Sequence, residues 1–152
     1  MRTHALGLAA IAFLMTAASM LGAQTPPASP WRVTLRLSGG LLGLDREVTV
    51  ASTGELKVSD RRRSSEITRK ATPTELAQIG SLVADLKPIE APRDVLCMDC
   101  PGYDLAVQAN GRSIVASLNP ITLSGTSAEP LVRALSTVLD RELAQPPNPS
   151  GR

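Results

Sequence analysis

The chain has 152 residues, 16 Lys and Arg against 14 Asp and Glu, and a formal net charge of +2. Its single histidine is His4 and its aromatics are Phe13, Trp31 and Tyr103, so it is poor in the commonest general base, the commonest metal ligand and base-stacking side chains. That composition argues against histidine-dependent catalysis, a metal centre or cofactor, and binding to nucleic acid or anionic lipid by broad attraction.

Met1 to His4 forms a short basic start, and Ala5 to Leu21 is apolar apart from Gly7, Thr16 and Ser19. Small Gly22 and Ala23 then precede polar Gln24, the layout of a secretory signal over residues 1–23. A retained anchor is the rival, since the run approaches the roughly 18–20 residues that span a bilayer. The alanine-rich makeup favours cleavage, and Gln24 stands where a lipoprotein needs a cysteine. The chain is therefore expected to be exported, periplasmic or extracellular, and free of the membrane after cleavage. Cleavage also removes the histidine. Residues 24–30, with three prolines, read as an extended leader.

A single domain is expected over 31–145, a size that can bury a core without staples. Trp31 to Leu37 alternates apolar and polar residues, the period of a half-buried strand. Ser38-Gly39-Gly40-Leu41-Leu42-Gly43 interrupts it, and Leu44 to Val50 alternates again. Thr53-Gly54-Glu55 signals a turn before a third strand at Leu56–Ser59. Asp60 to Lys70 is mostly charged and reads as loop or edge strand. Thr72-Pro73-Thr74-Glu75 is a capping box with proline at the first helical position, and Leu76, Ile79, Val83 and Leu86 share one helical face up to Lys87-Pro88. Tyr103–Ala109 and Arg112–Leu118 form a hairpin across Asn110-Gly111. A second helix starts near Ser127 and points Leu131, Leu135, Val138 and Leu139 inward; Pro146-Pro147 ends it before a frayed tail at 146–152. The order βββαββα predicts an α+β fold: a mainly antiparallel sheet of about four to five strands with two amphipathic helices on one face.

Cys97-Met98-Asp99-Cys100 is the one thiol pair. In an oxidising compartment a structural disulfide is the leading reading, with thiol–disulfide redox chemistry and metal binding as alternatives. Hydrolase chemistry lacks a histidine base, a Gly-x-Ser-x-Gly elbow and a Ser-x-x-Lys spacing. Asp99 and Asp104 read as loop acids, and Arg61-Arg62-Arg63 as a solvated edge carrying charges against aggregation. The turn Ser38, Gly39, Gly40, Leu41, Leu42, Gly43 and Leu44 is the candidate site, because its tip carries leucines where a solvent loop carries polar groups. Periodicity favours their folding back under the helices; an exposed tip for a partner is the alternative.

Ser38-Gly39-Gly40 with Gly43-Leu44, then Thr72-Pro73-Thr74-Glu75-Leu76, the Tyr103 strand, Gly111-Arg112 and Leu131 to Leu139 follow one another in the order seen in the emfourin family. The chain resembles these small bacterial proteins, whose namesake inhibits thermolysin-like (M4) metalloproteases, over residues 31–143; Leu41 stands where the family carries an aromatic. The resemblance implies a protein-binding domain, not an enzyme, that occludes an exported metalloprotease through the Ser38–Leu44 turn. An envelope interaction module without a protease target and a Cys-x-x-Cys redox protein are the alternatives.

Overall fold

The computed structural model describes residues 29–90, 95 and 97–144. The expected signal at 1–23, the leader up to residue 28 and the tail at 146–152 lie outside the described residues. In chain order the elements are β1 (Trp31–Gly39), β2 (Leu44–Ala51), β3 (Glu55–Asp60), β4 (Ser65–Lys70), α1 (Pro73–Ala84), β5 (Pro101–Ala109), β6 (Arg112–Leu118), α2 (Pro120–Leu123) and α3 (Glu129–Ala144). The six strands form an antiparallel sheet in the order β4-β3-β2-β1-β5-β6. The fold is α+β, as the patterning predicts.

Two details differ from the expectation of four to five strands and two helices. Asp60–Lys70 closes β3 and supplies the edge strand β4, whose Ile67 lies opposite Val58 and is half-buried. One apolar residue among charges is a weak strand signal, yet an edge strand needs little more, because only one side is paired and part of one face is covered. The short α2 has four residues, too few to show a helical period. Its start is set by Asn119, whose side-chain oxygen accepts from the N–H groups of Ile121 and Thr122, both at 2.9 Å, ahead of Pro120.

The core lies between one face of the sheet and the two long helices. Val33 and Leu35 on β1, Val48 and Val50 on β2, Leu56 and Val58 on β3 and Leu105 on β5 are fully buried. They meet Ile79 and Val83 of α1 and Leu131, Leu135 and Leu139 of α3. Each such side chain contributes about 1.5–3 kcal/mol on leaving water, so aliphatic packing carries the fold almost without aromatics. The other face is polar, with Thr34 hydroxyl-bonded to Thr49 at 3.0 Å and Arg36 paired with Asp45 at 3.1 Å.

At the β4 side of the core, four charges lock helices to sheet. Arg69 of β4 donates to Glu75 of α1 and to Glu142 of α3, both at 2.8 Å, and Arg141 bonds both carboxylates as well. Arg69 is the leading cause that holds both Glu75 and Glu142 below the ordinary carboxylate value of 4.5. A carboxylate depressed in the folded state adds stability that is complete above its unfolded pKa and is lost as pH falls through the folded one. The thermal midpoint should therefore hold above about pH 4.5 and drop by several degrees on further acidification. Arg69→Met should flatten that acid limb in a thermal melt taken across pH 3–7.

Candidate functional site

The residues singled out at the first turn sit at one end of the sheet. β1 and β2 stay in register until Gly39 faces Leu44, so only residues 40–43 remain to reverse the chain. The turn closes with the Gly43 N–H donating to the Gly40 carbonyl at 2.9 Å. Gly40 and Gly43 adopt φ of +70° and +54°, which side chains disfavour. A Cβ at Gly40 would sit 3.2 Å from the Pro101 nitrogen, a tight contact that adds to the unfavourable φ, so glycine suits the turn where it lies against the start of β5.

Leu41 and Leu42 are 85% and 76% exposed. The folding-back favoured by periodicity is thus corrected: a four-residue reversal has no length to carry its tip over the helices. Ser38 and Leu44 are half-buried at the turn's base, and Gly39 and Gly43 are exposed around the tip.

Arg62 holds this turn from the side. Its Nη1 donates to the carbonyls of Leu42 and Gly43, the latter at 3.0 Å. Arg62 is placed in turn by Asp60, whose Oδ1 accepts from the backbone N–H of Arg62 at 3.1 Å and of Arg63 at 3.2 Å. The Asp60 Oδ2 accepts from Arg46 Nε at 3.3 Å, and the residue is 3% exposed. The basic run Arg61–Arg63 is solvent-exposed, as expected of a solvated run, but it forms the β3–β4 turn rather than the edge strand itself. Arg61 reaches Glu47 at 3.7 Å and Arg63 reaches Asp60 at 3.8 Å, while the charges on the edge strand are Glu66, Arg69 and Lys70.

The loop against Gly40 carries the cysteine pair. Cys97 and Cys100 are joined in a disulfide with Cα atoms 5.4 Å apart, within the ordinary range. Between them Met98 is 96% exposed. Asn119 Nδ2 donates to the Val95 carbonyl at 3.0 Å and ties this loop to α2, where Ile121 is 56% exposed. Register places the start of β5 and the end of β6 at the same end of the sheet as the β1–β2 turn. Four exposed apolar side chains, Leu41, Leu42, Met98 and Ile121, thus share one end.

Sequence reasoning found the leucines but missed Asp60, Arg62, Met98 and Ile121. An aspartate two residues before an arginine in a turn is a local signal; the arginine's reach to a turn 20 residues away is not. Asp99 and Asp104 do not act together: Asp104 accepts from the Ser117 hydroxyl at 2.7 Å, and Asp99 lies in the disulfide loop.

The disulfide closes a loop of separation 3, which stabilises by about 2 kcal/mol on the chain-entropy model. A Cys97→Ser, Cys100→Ser variant should lose roughly that much in a denaturant titration. A reduction potential below about −300 mV would mark the bond as structural rather than catalytic.

Fold and site together define an α+β sheet domain with a braced apolar end. No protein-family model and no solved structure matches the chain. In sequence it is similar to a 2,3-bisphosphoglycerate-dependent phosphoglycerate mutase of Sphingopyxis alaskensis, at 30% identity over an alignment of 137 residues that covers 84% of this chain. The chain spans 57% of that relative's length.

This similarity overturns the expectation that the chain is not an enzyme, since the relative is an enzyme by name. That expectation rested on the missing histidine and on the resemblance. A count of residue types cannot exclude chemistry run by other side chains.

Proposed function

We propose that the chain is an exported domain that binds a protein partner through its loop end, in the manner of the emfourin family, with an exported thermolysin-like metalloprotease as the target. The observation that carries the reading is the exposure of Leu41 and Leu42 on a turn braced from two sides. A braced turn loses little conformational freedom on binding, so more of its burial energy appears as affinity. Inserting both leucines into an apolar cleft is worth about 3–6 kcal/mol, with Met98 and Ile121 widening the contact. Export follows from the basic, apolar and small-residue layout of residues 1–23. The test is an activity assay of thermolysin-like proteases with added protein. Inhibition at micromolar concentration is the expected result; full activity throughout would favour an envelope interaction module without a protease target.

A second reading rests on the similarity to the mutase. The chain would then act on phosphoglycerate, and interconversion of phosphoglycerate isomers by purified protein with 2,3-bisphosphoglycerate added would establish it. Absence of turnover under conditions where a known mutase is active would remove it.

A further inference from the structure

Among the described residues the sheet ends in two different edges. β4 carries Glu66, Arg69 and Lys70 among its six residues, charges of the kind that keep sheet edges from pairing. β6 reads Arg112-Ser113-Ile114-Val115-Ala116-Ser117-Leu118 and is uncharged after its first residue. Ser113, Val115 and Ser117 are exposed, Val115 by 76%. The two-residue Asn110-Gly111 turn puts Ala109 opposite Arg112 and so sets the alternation of the pair. Arg112, Ile114, Ala116 and Leu118 exchange backbone bonds with β5, and the N–H and C=O groups of Ser113, Val115 and Ser117 face outward.

Beside this edge, on the helix side of the sheet, a cavity of about 410 Å³ opens between α1 and the β5–β6 hairpin. Ala77, Gly80 and Ala84 of α1 form part of its wall, and such short side chains leave the space unfilled. Ile114 lines the β6 side, with Trp31 and Arg112 also on the lining. The Arg112 guanidinium has no ion pair or side-chain hydrogen bond among the described residues, whereas Arg36, Arg46, Arg69, Arg133 and Arg141 all have carboxylate partners.

We propose that β6 and this cavity form a docking site for an extended peptide with a free C-terminus. The peptide pairs antiparallel to β6, seats an apolar last side chain in the cavity and sets its terminal carboxylate against Arg112. The direction follows from the strand: antiparallel to β6, a peptide ends at Arg112. The register follows too, because a last residue opposite Arg112 lies on the helix side, as Arg112 and Ile114 do. A second copy of β6 fits less well. Two-fold pairing centred on Val115 places Leu118, already buried, opposite Arg112, and leaves the cavity empty and the cation unpaired. The Arg112 end of this edge, with the cavity, lies at the opposite end of the sheet from Leu41, so the site stands or falls separately from the partner reading above.

Trp31 is the chain's one tryptophan, which makes its emission a direct report on the cavity. The probe is the acetylated hexapeptide Thr-Val-Thr-Val-Thr-Leu, titrated into the full chain as the free acid and as the C-terminal amide. Saturable change in Trp31 emission is expected, with the amide about tenfold weaker and Arg112→Gln removing that difference. Val115→Pro removes an outward N–H and should abolish binding. Ala84→Leu, on an exposed helix position, should abolish it by filling the cavity, and it serves as the test should the proline variant unfold by circular dichroism. No saturable change, equal binding of acid and amide, or full binding by Ala84→Leu would each overturn the proposal. A dimer in sedimentation that Arg112→Gln leaves intact, with no peptide response, would assign the edge to a second copy instead.

Discussion

The Leu41→Asp, Leu42→Asp double variant is expected to lose partner binding by at least about a hundredfold while its thermal midpoint stays within a few degrees of the parent. The first half follows from burial: each leucine offers about 1.5–3 kcal/mol to an apolar cleft, and a carboxylate there adds a desolvation cost. The second half follows from exposure. Side chains that are 85% and 76% exposed give little to the folded state, and neither leucine belongs to the hydrophobic core. The turn itself is made by the glycines, by the Gly43-to-Gly40 hydrogen bond and by Arg62 on two carbonyls, none of which uses a leucine side chain. Protease inhibition curves beside thermal melts read the two halves separately. Binding that survives the double substitution would remove the turn as the contact surface. A collapse in stability would contradict the exposed tip.

Asp60→Ala should be the most damaging single change at this end, at about 3 kcal/mol, or roughly 10 °C in a domain of this size. It removes an acceptor for two backbone N–H groups and the carboxylate beside Arg46, all around a side chain 3% exposed. Arg46 would be left half-desolvated, with Asp140 at 3.4 Å as its remaining partner. The consequence passes to the leucine turn through Arg62, whose backbone N–H Asp60 holds and whose guanidinium braces that turn. Asp60→Asn is expected to fall between the two, because both backbone bonds go to Oδ1, which an amide oxygen can replace, while the charge facing Arg46 is lost. Should Asp60→Ala melt with the parent, the brace would not depend on this carboxylate.

Much of the fold was legible because it is written at short range. Alternation over Trp31–Leu37 and Leu44–Val50, the capping box at Thr72 and the Asn110-Gly111 turn each arise from contacts within a few residues, and each appears where expected. β4 was only half legible, since an edge strand needs one apolar residue and a partner rather than a pattern. The four-residue α2 was not legible at all, being shorter than the period that would reveal it. The leucine turn was found as a sequence oddity, yet its exposure was misjudged, because apolar character alone favours burial and only the register at Gly39 and Leu44 denies the chain the length to reach it.

By itself, the sequence determined the α+β class, the core faces of both long helices, the hairpin and the identity of the apolar turn, all consequences of local periodicity and turn chemistry. Only the tertiary structure decided that Leu41 and Leu42 face solvent and that Asp60 and Arg62 brace them. It also gathered Met98 and Ile121 at the same end and, among the described residues, left β6 as an edge beside a cavity. Those properties depend on which strands become neighbours. Pairing in the order β4-β3-β2-β1-β5-β6 brings together groups 20 to 80 residues apart that no local pattern connects.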